Sequence, residues 1–138
     1  MRLVLDTNIL VSALITKGSP PDGLYKGWQR GEFVLLTSLP QLAELERVVY
    51  SPKLQRFIKA DSPDDMLFLV RQGSEIITDL PTVFYSADTD DNVIIATALK
   101  GRADYLVTGD KKDILHLQEA DGVRFVTARQ MLEIIAEQ

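Results

Sequence analysis

Three short apolar runs constrain the architecture of this 138-residue chain more than any other feature. Leu3-Val4-Leu5, Phe33-Val34-Leu35-Leu36 and Tyr105-Leu106-Val107 are continuous and do not alternate with polar residues. A strand formed from any of them carries apolar side chains on both faces, which requires a covering layer on each side, the situation of strands in a parallel sheet. Longer amphipathic stretches separate the runs, as in a succession of βα units. The expected fold is therefore α/β with a central parallel sheet. Ile76-Ile77 is a shorter run. Val123-Arg124-Phe125 alternates, which places it at a sheet edge with one face partly wet.

Helix starts are marked along the chain. Ser38-Leu39-Pro40-Gln41 and Thr127-Ala128-Arg129-Gln130 fit the capping box, in which hydroxyl and amide satisfy orphan backbone donors reciprocally. Ser51-Pro52 and Ser62-Pro63 put a capping serine before a proline at the first helical position. The stretch from Gly18 to Gly23, with Pro20 and Pro21, reads as a loop or helix entry. Residues 51–73 read as one or two helices projecting near the strand-end edge, and residues 79–87 as a connection. Trp28, Phe57 and Phe68 stand at helical spacing among apolar neighbours and are expected in the core. With no repeat and no linker, residues 1–138 are expected to form a single domain.

Composition narrows the chemistry. There is no cysteine and a single histidine, His116, so thiolate and multi-histidine zinc sites within one chain are excluded. His116 itself, between two leucines, reads as a packing or surface residue. A metal here would be held by oxygen, which favours Mg²⁺ or Mn²⁺. No apolar run approaches the length of a membrane span, the N-terminus reads as the first strand, and a cytoplasmic location is expected. A net charge of −5 argues against broad electrostatic capture of nucleic acid, though not against a local basic rim.

Four acids fall at, or within two turns of, junctions between strands and helices: Asp6 after Leu3–Leu5, Glu44 after Phe33–Leu36, Asp91 before Val93-Ile94-Ile95-Ala96, and Asp110 after Tyr105–Val107. Strand carboxyl ends converge on one edge of an open α/β sheet, where ligands bind. Two unit charges about 4 Å apart repel by roughly 1 kcal/mol in water and roughly 4 kcal/mol at a surface-like dielectric. A divalent cation offsets that repulsion, so the pattern points to a metal. Each acid also has a plainer reading. Asp6 suits a helix N-cap, and Asp88 suits the cap of the next helix, with Asp90 and Asp91 complementing its dipole. Three aspartates exceed what one cap requires. On a helical projection Glu44 and Glu46 flank opposite sides of the apolar stripe Leu42, Leu45, Val48 and Val49, and spacing does not choose between them. Asp113 lies one turn beyond Asp110. Thr7 and Asn8 are placed to fix a carboxylate or water, and Thr108 to orient Asp110 or a phosphate oxygen. Lys53, Arg56 and Lys59, at intervals of three, form a solvated face or a phosphate-contacting rim.

Taken together, Leu5-Asp6-Thr7-Asn8-Ile9-Leu10, Ser38-Leu39-Pro40-Gln41-Leu42-Ala43-Glu44-Leu45, the segment from Asp88 to Ala98 and the segment from Ala103 to Asp110 resemble the PIN-domain ribonuclease family. The similarity is to its small prokaryotic, VapC-like members, counted as toxins of toxin–antitoxin pairs. That resemblance implies a three-layer α/β/α fold with an acidic pocket at the strand ends, and Mg²⁺- or Mn²⁺-dependent cleavage of RNA leaving 5′-phosphate and 3′-hydroxyl ends. It implies Asp6, Glu44, Asp91 and Asp110 as the metal-binding and catalytic acids, selecting Glu44 over Glu46 and Asp91 over Asp90. Asn8 and Thr108 match residues that brace the cluster, while Asp88, Asp90 and Asp113 are auxiliaries. The implied partners are RNA, a cognate antitoxin protein and a second copy of the chain in a homodimer.

Other readings compete. Phosphoryl transfer to aspartate of the haloacid-dehalogenase type requires Asp-x-Asp after the first strand, where this chain has Asn8; a receiver domain requires its acidic pair near that strand, whereas Asp90-Asp91 comes late. The non-enzymatic alternative is a metal-stabilised acidic pocket that holds a partner protein, for example by bidentate bonds from an arginine.

Overall fold

A computed structural model describes residues 1–59, 62–109 and 115–138. Among them are strands β1 (Arg2–Leu5), β2 (Val34–Thr37), β3 (Glu75–Ile76), β4 (Tyr105–Val107), β5 (Glu119–Ala120) and β6 (Val123–Val126). The helices are α1 (Thr7–Ile15), α2 (Pro20–Gln29), α3 (Leu39–Val49), α4 (Pro52–Gln55), α5 (Ser62–Gly73), α6 (Thr89–Lys100) and α7 (Ala128–Ala136). The strands form one sheet in the order β3-β2-β1-β4-β6-β5. Every pairing is parallel except that of β5 with β6.

The continuous apolar runs do what their composition requires. Leu3, Leu5, Leu35, Val107 and Val126 point into one core, filled by buried residues of α1, α2, α3, α5 and α7. Val4, Leu36, Leu106 and Phe125 point into a second core on the opposite face, closed by Ile94, Ile95 and Ala98 of α6. The result is a three-layer α/β/α arrangement. Among the described residues no helix is long and apolar enough to cross a membrane.

The direction of α6 is set at its C-terminal end. Arg2, at the start of β1, donates from Nε and Nη2 to the carbonyl of Gly101 at 3.0 and 2.7 Å. A Cβ on Gly101 would lie 2.9 Å from Leu36 Cδ1 and 3.0 Å from Ile77 Cδ1, so a larger residue would have to push these side chains aside, and glycine lets the helix end lie against them. The C-terminus of α6 is thereby fixed at the amino ends of the strands. Its 12 residues, rising about 1.5 Å each, carry its N-terminus to the carboxyl-end edge.

Several expectations change. Val123–Val126 is not an edge strand: β6 lies between β4 and the two-residue β5. The link between β5 and β6 is Asp121-Gly122, with φ of 44° and 88°, both left-handed as a two-residue hairpin turn demands. Ser38 and Gln41 do not form a capping box, because both side chains are drawn into tertiary contacts, Ser38 with Thr97 and Gln41 with the Leu5 carbonyl. The box at Thr127 and Gln130 does form. Ser51 precedes α4 as expected but makes no side-chain cap bond, and Ser62 is already the first residue of α5. Phe57 and Phe68 are not core residues, being 54% and 63% exposed. Trp28 is half-buried, packed against the first core and 5.9 Å from the ring of Tyr25. The side chain of His116 lies outside the described set.

One buried acid is structural. Asp22 accepts the Gly18 N–H at 2.8 Å and pairs with Lys26 at 3.1 Å, tying the entry of α2 to its second turn. Burial opposes its ionisation, but the Gly18 amide and the two lysines Lys26 and Lys17 outweigh burial and hold its pKa below the usual value. A depressed carboxylate pKa means stability present above the unfolded-state pKa and lost as pH falls through the folded value. Asp22→Asn should therefore lower unfolding free energy by about 1–3 kcal/mol at pH 7 in urea titrations. The deficit should close as pH falls below about 4.

Candidate functional site

The strand order reverses between β1 and β4, and in an open α/β sheet the crevice outside the carboxyl ends at such a point is where ligands bind. Asp6 follows β1 there, its N–H completing the ladder to Val107 O at 2.9 Å. Thr108 follows β4, its N–H bonded to Val126 O at 3.0 Å. The Thr108 hydroxyl donates to Asp6 Oδ2 at 2.8 Å across the reversal, and both residues are buried. Asp6 occupies the N-cap position of α1 but its carboxylate makes no cap hydrogen bond. Its carboxylate is instead held by Thr108, with the backbone amides of Thr7 and Asn8 near enough to favour its charge, so capping accounts for only part of its setting.

Burial raises the pKa of Asp6, the largest influence on it. The Thr108 hydroxyl acts against that rise, the negative charge of Glu44 adds to it, and the backbone amides of Asn8 and Thr7 oppose it. The net direction is upward: this carboxylate is held where its charge is poorly accommodated without a counter-charge. The Asn8 side chain is exposed, and its contribution comes from the backbone.

Glu44 reaches this point because α3 is pinned by its first turn. Gln41 Nε2 donates to Leu5 O, immediately before Asp6, at 2.6 Å. Thr97 Oγ1 of α6 donates to Val93 O, so its 2.9 Å contact with Ser38 Oγ has Ser38 as donor. These bonds join α3, β1 and α6 just beyond the strand ends. Half-buried Glu44 comes one turn after Gln41, near enough to act on Asp6. Glu46 is exposed and paired with Arg71 at 3.0 Å. The two glutamates that spacing could not separate thus face different surroundings.

Asp91 stands in the first turn of α6, at the same edge, and is 8% exposed. Ser86 Oγ donates to its Oδ2 at 3.3 Å. The Asn92 side chain brackets Ser86, accepting its N–H at 2.9 Å and donating to its carbonyl at 2.8 Å. Asp88 is the cap, accepting the Asp90 N–H at 2.9 Å, and Asp90 is exposed. Capping is thus satisfied without Asp91. Asp110 and Asp113 lie outside the described residues. Among the described residues no group of three or more acidic or histidine side chains is gathered tightly enough to hold a metal.

Sequence reasoning missed Gln41, Ser86 and Asn92 as positioning residues, since nothing local distinguishes them from cap and loop residues. Two further atoms bear on what the site accepts. Thr7 Oγ1 and Gln41 Oε1 are buried with no hydrogen-bond partner among the described residues. Both belong to residues adjoining Asp6 through the chain or through Leu5. Buried oxygen acceptors and an ill-accommodated carboxylate, with no sulfur and no described imidazole, are a donor set suited to a hard divalent cation.

A family model for the PIN domain matches residues 2–112, from β1 past the end of β4. An uncharacterized protein of Methanocaldococcus jannaschii, MJ1680, is 28% identical over 120 residues, covering 86% of this chain and 76% of that protein. Among solved structures, VapBC2 from Rickettsia felis bound to a DNA fragment from their promoter aligns with a TM-score of 0.56 at 23% identity, covering 92% of this chain and 98% of that one. PAE2754 from Pyrobaculum aerophilum aligns with a TM-score of 0.59 at 18% identity, covering 99% and 90%. At such identities the structural likeness concerns the fold. The family model, matching most of the chain and all of β1 to β4, carries the assignment: the chain belongs to the PIN domain family, whose members are in general nucleases.

Proposed function

We propose that the protein is a divalent-metal-dependent endoribonuclease acting in the cytoplasm as the toxin of a toxin–antitoxin pair. The observation that carries this reading is the Asp6 carboxylate, buried at the sheet's reversal point, held by Thr108 and raised in pKa by burial and by Glu44. Asp6, Glu44, Asp91 and Asp110 are the residues that hold Mg²⁺ or Mn²⁺. The bound cation supplies activation of water at neutral pH and neutralisation of charge on the transferring phosphoryl group.

The chain's own groups then have distinct tasks. Thr108 fixes the rotamer of Asp6, and Ser86, itself clasped by Asn92, fixes that of Asp91. Glu44 is less buried than Asp6 and is suited to orient the attacking water and accept its proton. Gln41 and Ser38 keep α3, and therefore Glu44, in register with β1 and α6. Asn8 stands at the exposed rim. Asp88 serves α6 as its cap, and Asp90 adds negative charge beside it. Hydrolysis by activated water requires no nucleophilic side chain, in keeping with a chain lacking cysteine. The likeness to a toxin–antitoxin assembly supports a protein partner, and an arginine from such a partner satisfies the same acidic pocket as a cation.

Two sets of outcomes test this. Ionised Asp6, with its raised folded pKa, opposes folding above the unfolded-state pKa. Asp6→Asn should therefore leave thermal stability equal to or above wild type without metal, while lowering RNA cleavage in Mn²⁺ by at least about a hundredfold. Mn²⁺ should raise the melting temperature of the wild type and not of the variant. Wild-type cleavage by Asp6→Asn overturns the assignment. Separately, in metal-free protein, Thr108→Val should move the Asp6 pKa further up and Glu44→Gln should move it down, read by carboxyl-carbon NMR titration.

A further inference from the structure

The end of α3 and the segment after it hold the largest group of basic residues unbroken by an acid. Between Arg47 and Lys59 the sequence holds Arg47, Lys53, Arg56 and Lys59 and no acid, within a protein of net charge −5. All four side chains are exposed, and among the described residues none makes an ion pair. Of the acids flanking this stretch, Glu46 is engaged by Arg71 and Asp64 by the Tyr50 hydroxyl. In the same stretch Phe57 is 54% exposed, with the Arg56 guanidinium 4.9 Å from its ring centroid, and Tyr50 is 40% exposed. Beside them lies a hollow of about 340 Å³, with Val49, Ile58 and Pro63 as an apolar floor and Tyr50, Gln55 and Lys59 at its rim. The patch continues from the candidate site, since Arg47 comes one helical turn, about 4.5 Å of rise, after Glu44 on α3.

We infer that this face binds single-stranded RNA and leads the strand to the edge where Asp6 and Glu44 meet. The inference rests on the nuclease reading and adds the substrate path to it. Arg47, Lys53, Arg56 and Lys59 contact phosphates, while an unpaired base stacks on Phe57, the combination by which single strands are held without sequence readout. Charge decides between occupants. A second copy docked through this face in a two-fold dimer would set the same four cations against one another, whereas a polyanion neutralises them.

The test is fluorescence anisotropy with an end-labelled single-stranded oligoribonucleotide and the Asp6→Asn chain, which does not consume it. Added to that background, Arg56→Gln with Lys59→Gln should flatten the dependence of log affinity on log salt by about 1.4, two contacts at about 0.7 each. Phe57→Ala should weaken binding about tenfold and Phe57→Trp should retain it. Melting temperatures close to that of the parent confirm folding. If both variants bind as the parent does, or if the double variant changes the sedimenting mass in place of RNA affinity, the inference is overturned. Cleavage by the Asp6-intact chain separates the two claims. Cleavage with binding indifferent to these residues removes only the path, and absent cleavage with binding dependent on them removes only the nuclease. Neither binding nor cleavage removes both.

Discussion

The hydrogen bond from Thr108 to Asp6 joins the ends of two strands that diverge in the chain by about a hundred residues and lie side by side in the sheet. It spans the point between β1 and β4 where the strand order reverses, and it exists because β1 has β2 on one side and β4 on the other. It also buries a carboxylate against a neutral hydroxyl, with another negative charge close by. Such an arrangement is unfavourable to the isolated fold. A protein selected for stability alone has no use for it, and the remaining features of the edge bear on the same point. Gln41 holds α3 to the carbonyl just before Asp6, and Ser38 ties α3 to α6. Ser86 holds the Asp91 carboxylate in the first turn of α6.

The two faces of the sheet make different contributions. One is covered by five helices around a large core, which gives α1 and α3 a rigid base for Asp6 and Glu44. The other is closed mainly by α6, anchored at the opposite edge by Arg2 and by the close approach of Gly101 to Leu36 and Ile77. Fixing the far end of that helix sets how far its N-terminus reaches, and so where Asp91 stands. A glycine about 15 Å along the helix from Asp91 thus takes part in positioning it.

Much of the fold is legible in the residues. Continuous apolar runs locate β1, β2 and β4 because strands buried on both faces leave no polar alternation to obscure them. The same logic misplaces β6: Arg124 is exposed, which gives the run its alternation, yet the strand is covered by β5, too short for periodicity to reveal. The Asp121-Gly122 pair is the signal that could have found it, a hairpin turn that needs positive φ at both positions. Ser38 and Gln41 follow the capping pattern and are used elsewhere, since a local motif does not report that β1 and α6 offer competing partners. Spacing alone puts Phe57 and Phe68 in the core, and spacing does not distinguish a face turned to the core from one turned to water. At the site, strand-end position singles out Asp6, while the choices of Glu44 over Glu46 and of Asp91 over Asp90 come from the family resemblance; the fold leaves Glu44 near enough to act on Asp6, pairs Glu46 with Arg71, and buries Asp91 while Asp90 is exposed.

On the proposed reading, acids separated along the chain hold a divalent cation at the reversal point of the sheet. Anomalous diffraction from crystals equilibrated with Mn²⁺ tests it most directly. The account predicts a manganese peak at oxygen-ligand distance from the carboxylates of Asp6 and Asp91, with Glu44 bound directly or through water. Ordered crystals showing no manganese beside Asp6, or manganese held only by residues away from the β1 and β4 ends, would contradict it.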